Sequence, residues 1–215
     1  MPYLWPAFTA ALTPWFVFEM KNALSTNGEA PTSQKSALDG SSGAITAEVI
    51  TAEYQLAMKL ATVVPYSNPI LPGGLNGWKK KPFLNGFQAG FNLQASTPQS
   101  LGMAPYAIMA AGVIASWAGG VKFAPAPPHP PGLAPNPAFI GANMVCVSVF
   151  PGSPMPLAAM LQIAFTCGSK EGIAPLLVSA FMAHLSTVSG VYQPLVVGPT
   201  PTPIPGPPIP WVGVM

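Results

Sequence analysis

Apolar residues recur at three- and four-residue steps along most of this chain, and proline or glycine interrupts the runs. Trp5, Phe8, Leu12, Trp15 and Phe16 share one helix face near the N-terminus. Pro6 suits a first helical turn, whereas Pro14 predicts a kink or restart and a short second piece from Phe16 to Asn22. Residues 25 to 43 carry Ser, Thr, Asn and Gly with little bulk and read as a linker. The clearest helix is expected over 44 to 64, with Thr46 as N-cap, Glu48 and Glu53 early and Lys59 late, and Pro65 beyond its end. Its apolar stripe reads Ile45, Val49, Ala52, Leu56, Leu60 and Val63.

The second half has the same texture. Pro82 is expected to open a helix running through Phe83, Phe87 and Phe91 to Ala95. Gly86 and Gly90 lie on it four residues apart, each costing about 1 kcal/mol against alanine. Glycines at that spacing predict close approach of another backbone. A further helix is expected over 98 to 118, kinked at Pro105 and stopped by Gly119-Gly120. Val145, Val147 and Val149 alternate with Cys146 and Ser148, which predicts a short strand within 139 to 150. Two more helices are expected over 154 to 166 and 173 to 189, with Gly-Ser-Lys-Glu at 168 to 171 marking a helix start.

At a spacing of seventy residues, Ala104-Pro105 matches Ala174-Pro175 and Gly120-Val121 matches Gly190-Val191. Helix, loop, helix and proline tail would be the repeated unit. Duplication and chance matching within an Ala/Pro/Gly-rich composition both account for these identities. Seven prolines fall between Pro125 and Pro137, and the last seventeen residues are again proline-rich. Both tracts read as extended polyproline II, which makes no internal hydrogen bonds. The twelve residues from Pro199 to Pro210 would reach about 37 Å, so an ordered tail must lie along some surface. Proline lowers the entropy cost of placing it there, and Trp211, with Val212 and Val214, is a natural anchor in a neighbour's pocket.

Composition changes the picture most through what it lacks. Only 7% of the 215 residues are charged, against roughly 25% in an average soluble domain. There is no charged residue from Phe123 to Ser169, and none after Glu171. The mean hydropathy is +0.43. Such a surface is expected to be covered by protein or lipid. The net charge is +2, with no arginine and a single basic cluster at Lys79-Lys80-Lys81, expected in a solvated loop. That argues against a nucleic-acid surface, for which arginine is the preferred side chain.

Chemical constellations are sparse. Cys146 and Cys167, twenty-one residues apart, have neither framework nor metal spacing; buried free thiols are expected, with one bridge left open. His129 lies among prolines and His184 within an apolar helix, where a satisfied core or interface histidine is expected. Glu48 and Glu53 are five positions apart on one helix and do not converge for acid/base work. No nucleophile elbow or phosphate loop is present. The chain is therefore expected to be non-enzymatic, with no cofactor and no metal.

A membrane subunit is the rival reading, because Leu101–Ala118 and Gly172–Gly190 are uncharged runs of eighteen and nineteen residues. The prolines near their starts, the diluting small residues and His184 count against it.

The helix from Ala47-Glu48 to Val63, the Pro/Asn/Gly turn, Gly74-Leu75, the lysine cluster and Phe83-Leu-Asn-Gly-Phe-Gln-Ala-Gly-Phe91 resemble small virion structural proteins of contractile-tailed bacteriophages. The later Ala-rich helices ending in Gly-Val and the Pro-rich extension add to this resemblance. It implies a tail, baseplate or neck component located in the virion. Its partners would be other structural proteins of the particle, with further copies of itself a candidate.

The expected fold is mainly α, with short apolar helices in two helix-pair modules and extended Pro-rich segments. Residues 1–43 would form an aromatic N-terminal helix and linker, 44–137 one helical module, and 138–215 a second with a C-terminal arm. The candidate interface residues are Trp5, Trp15, Pro199, Pro201, Pro203, Pro205 and Trp211. Deleting Pro199–Met215 is expected to leave a folded helical core that no longer incorporates.

Overall fold

A computed structural model describes residues 4–19, 40–58, 78–96, 102–118, 145–193, 195–197, 203–205 and 209–214. The fold is mainly α-helical. Helix α1, Trp5–Pro14, is followed by a π-helical turn, Trp15–Glu19. Then come α2, Gly40–Ala57, α3, Lys80–Ser96, and α4, Ala104–Trp117. Strand β1, Val145–Phe150, precedes α5, Pro154–Thr166, and α6, Lys170–Thr187. The chain closes with β2, Ser189–Gln193, β3, Leu195–Val197, β4, Pro203–Pro205, and β5, Ile209–Val212. Residues 25–39 of the expected linker and the proline tract of 125–137 lie outside the described residues, whereas residues 40–43, expected in the linker, form the first turn of α2.

Proline sets the boundaries. Pro6, Pro82, Pro105 and the Pro154/Pro156 pair all stand in first turns, where a missing N–H costs nothing. Pro105 therefore starts α4 instead of kinking a longer helix from 98. Pro14 behaves differently. It ends α1, and the chain widens into the π turn instead of restarting as a separate α-helix from Phe16. A wider turn relieves the clash of the proline ring with the preceding turn. Ser169 caps α6 as the Gly-Ser-Lys-Glu pattern predicts, its hydroxyl oxygen accepting from Gly172 N at 3.3 Å.

The sequence stripe of α2 is rotated in the structure. Ala47, Ile50, Tyr54 and Ala57 face the core, while Ile45 is 51% exposed and Ala52 also faces outward. Apolar residues surround nearly the whole of this helix, so periodicity alone left its orientation open. Thr46 is likewise no N-cap. The helix begins six residues earlier, and Thr46 is buried inside it, accepting a hydrogen bond from Trp15 Nε1 at 3.3 Å.

All six helices contribute to one core. The pairs α3–α4 and α5–α6 follow the expected pairing, and α4 packs on α5, joining them. Helices α3 and α4 touch through backbone. A Cβ added at Gly86 would lie 2.6 Å from Gly112 Cα, and one at Gly112 would lie 2.8 Å from Pro82 O. At Gly90 it would meet Pro105 O at 2.8 Å. The glycine spacing on α3 predicted such an approach, and Gly112 is the partner it needed.

The sheet order is β1-β2-β5, all antiparallel, and β3 pairs separately with β4. Tail residues 209–212 are thus extended, as polyproline II would be, but they are bonded to Ser189–Tyr192 of their own chain. Polyproline II and β conformations are neighbours in backbone space. Pro210 tolerates the strand because β5 has a described neighbour on one side only.

Among the described residues no helix is long and apolar enough to cross a bilayer, so neither candidate span is met by one. The fourteen residues of α4 rise about 21 Å against a hydrocarbon core of roughly 30 Å, and α6 begins with Lys170 and Glu171.

Replacing Gly112 with alanine should force α3 and α4 apart. The steric cost, about 1–3 kcal/mol, is expected to exceed the ~1 kcal/mol gained from helix propensity. Gly168→Ala, where an added Cβ meets nothing within 4 Å, is the matched control. Denaturant unfolding of both variants against the parent chain measures the difference.

Candidate functional site

Two places concentrate polar chemistry inside this apolar fold. The first is an aromatic junction around Tyr54. Its ring lies 4.6 Å from that of Phe83, 4.8 Å from Phe181 and 5.6 Å from Trp78. Trp5 stacks on Phe181 at 6.3 Å, and Phe8 meets Phe181 edge-on at 6.0 Å. Helices α1, α2, α3 and α6 meet here. Helix α4 joins through Trp117, whose Nε1 donates to the Tyr54 hydroxyl at 3.2 Å. Burial pushes the Tyr54 phenol above its ordinary pKa, and the Trp117 hydrogen bond only partly offsets this. The phenol stays neutral and serves as an acceptor for an indole that would otherwise be buried unpaired. Tyr106 repeats the arrangement more shallowly, accepting from Gln94 Nε2 at 3.0 Å across α3 and α4, with its pKa raised by burial.

The second is His184, in the last turn of α6 and 4% exposed. Its Nε2 lies 2.8 Å from Pro151 O. A carbonyl only accepts, so Nε2 carries the proton and Nδ1 is bare. Nδ1 is buried with no hydrogen-bond partner among the described residues. The expected core histidine is therefore satisfied on one side only.

Neither place resembles a catalytic centre. Among the described residues there is no group of three His, Cys, Asp or Glu able to hold a metal ion. Cys167 is half-buried, with its Sγ 3.1 Å from both Ala164 O and Ser169 O. Lys79 to Lys81 are exposed, but Lys80 and Lys81 lie in the first turn of α3 and not in a loop.

The candidate interface residues scatter. Trp5 is 6% exposed and committed to the aromatic junction, so it offers no surface to a partner. Its spacing with Phe8 and Leu12 is that of a core face. Trp15 is half-buried and tied to Thr46. Pro203 and Pro205 stand in β4, opposite Val197 and Leu195. Trp211 stands in β5, opposite Gly190. Pro199 and Pro201 lie outside the described residues. No protein-family model, no curated protein and no solved structure matches this chain.

Apolar surface appears instead at Val212, expected beside Trp211 in the tail's anchor, and at positions that sequence reasoning missed. Phe150 is 61% exposed and Val212 62% exposed. Both pair with Ser189, so the three form one row across the sheet. Met155 and Ile163 on α5 are also more than half exposed. Only the pairing register aligns Phe150 with Val212.

Tyr54→Phe tests the first junction. It keeps the ring packing and leaves the buried Trp117 indole without an acceptor, at an expected cost of about 1–3 kcal/mol. A double-mutant cycle with Trp117→Phe should recover part of that loss, and urea unfolding curves measure it.

Proposed function

We propose that this chain is a non-enzymatic structural subunit of a large protein assembly, docked through apolar surface. The finer reading is a tail or baseplate component of a bacteriophage virion, and it rests on the sequence resemblance alone. One observation carries the coarser reading. Phe150, Met155, Ile163 and Val212 are each more than half exposed, on a chain with no charged residue from Phe123 to Ser169 or beyond Glu171. Burial against neighbouring protein would remove that surface from water, at roughly 25 cal/mol per Å² of apolar area. The absence of charge spares the desolvation that charged residues would suffer in such a contact. The partners are other structural proteins of the same particle.

The tail's role differs from that of a free clip. Val214 is 3% exposed, and its amide donates to Leu185 O at 2.9 Å, so removing Pro199–Met215 would damage the fold as well as any docking. Point changes on the exposed row separate the two effects. Phe150→Ser and Val212→Ser should each leave stability within about 0.5 kcal/mol, as substitutions at exposed positions usually do.

Fractionation of the native source without detergent, followed by mass spectrometry, tests the reading. The chain is expected in large particles together with other structural proteins. The paired variant Phe150→Ser/Val212→Ser should fold normally and be depleted from those particles. Recovery only as a free monomer, or only from membranes in detergent, would overturn the assembly reading.

A further inference from the structure

We propose that the contact of His184 with Pro151 is an acid-operated latch holding the three-stranded sheet to the helical core. The end of α6 is where all three strands are tied down. Strand β1 ends at Phe150, and the next residue, Pro151, accepts the proton of His184 Nε2 at 2.8 Å. Strand β2 begins at Ser189, two residues beyond the end of α6. After β5, Gly213 N donates to Val188 O at 2.8 Å and Val214 N donates to Leu185 O at 2.9 Å. The histidine thus sits in the turn of helix to which both outer strands attach.

The pocket around the ring is closed. Gly152 has φ +83°, a conformation that favours glycine, and a Cβ there would lie 2.6 Å from Thr187 Oγ1 and 3.5 Å from His184 Cδ2. The backbone of the β1–α5 connection therefore lies directly against the imidazole. Protonation would place an N–H at Nδ1, where no acceptor exists among the described residues.

Among the described side chains no charged group compensates the ring. On α6 itself, Lys170 and Glu171 lie at the opposite end, about 20 Å away along the helix axis. Helix α5 and helix α1 contain no ionisable side chain, and Cys167 follows α5. The π turn ends in Glu19, β1 contains Cys146 and β2 contains Tyr192. Residues 209–214 contain no ionisable side chain. The C-terminal dipole of α6 favours an imidazolium weakly.

Burial lowers the His184 pKa below its ordinary value, and the Pro151 hydrogen bond opposes this to a smaller extent. The closed state therefore binds its proton more weakly than the open state. The latch is fully closed above the ordinary histidine pKa of about 6.5. It weakens as pH falls below that value, towards the depressed pKa of the closed state. Over this interval the ratio of closed to open falls by up to about tenfold per pH unit.

Hydrogen exchange on the full chain, followed by NMR from about pH 8 to about pH 5 and corrected for intrinsic rates, tests the latch. Protection of the Gly213 and Val214 amides is expected to be flat above about pH 6.5 and to fall below it. The Phe91 amide, inside α3, should stay protected throughout. In His184→Gln, which keeps a side-chain N–H but does not titrate, the Gly213 and Val214 protection should lose its pH dependence. Should that variant fail to fold, the parent chain still decides, because the imidazole resonances of His184 must titrate below the pH at which protection starts to fall. Flat protection down to pH 5, an equal fall at Phe91, an equal fall in a folded His184→Gln, or an imidazole that titrates above the onset of the protection loss would each overturn the proposal.

Discussion

The hydrogen bond from Trp117 to Tyr54, set inside a cluster of rings, is the contact on which the helical arrangement turns. Its two partners are sixty-three residues apart. The rings around it come from α1, α2, α3 and α6, while Trp117 brings α4. Aromatic pairs at these separations are worth about 0.5–1.5 kcal/mol beyond the area they bury. The polar bond adds specificity, because a buried indole N–H without an acceptor is costly. Sliding α2 or α4 by one residue would separate the donor from its acceptor.

Around that centre the chain uses two opposite packing devices. Large rings fill the junction, and glycines thin the crossing of α3 with α4 until backbones touch at Gly86 and Gly112. The devices depend on each other. Phe83, Phe87 and Phe91 lie on the same side of α3 as Gly86 and Gly90, all fully or nearly buried. Close approach of α4 on one flank presses the phenylalanines into the cluster on the other. No lysine or glutamate is among the buried residues of this arrangement.

The sheet is a later addition to the helical core, joined to it where α6 ends. Its outward row of Phe150, Ser189 and Val212 is apolar on both flanks. Its attachment runs through backbone amides and one histidine. Part of the surface that suits docking is thus borne by the sheet, and the rest by Met155 and Ile163 on α5.

Several features were legible in the sequence because they depend on local chemistry. Proline in a first turn marks where a helix begins, and α5 runs from Pro154 to Thr166 as its pattern predicts. Ser169 followed by Glu171 marks a capped start, and four-residue glycine spacing marks a close backbone approach. Scarcity of charge is a property of composition and needs no coordinates. What only the tertiary structure decided concerns direction and partnership. Helix α2 is apolar nearly all round, so the depth of the Tyr54 pocket chose its buried face, not its periodicity. Trp5 reads equally as an interface anchor or a core residue until Phe181, far along the chain, stacks against it. Extended proline segments carry no internal hydrogen bonds that would reveal a partner, so only pairing with β2 showed where residues 209–212 lie. Local steric rules act within one turn of chain and are written in the sequence. The choice among equally apolar faces is made by whichever distant side chains fill the space, and the sequence order does not contain that information in readable form.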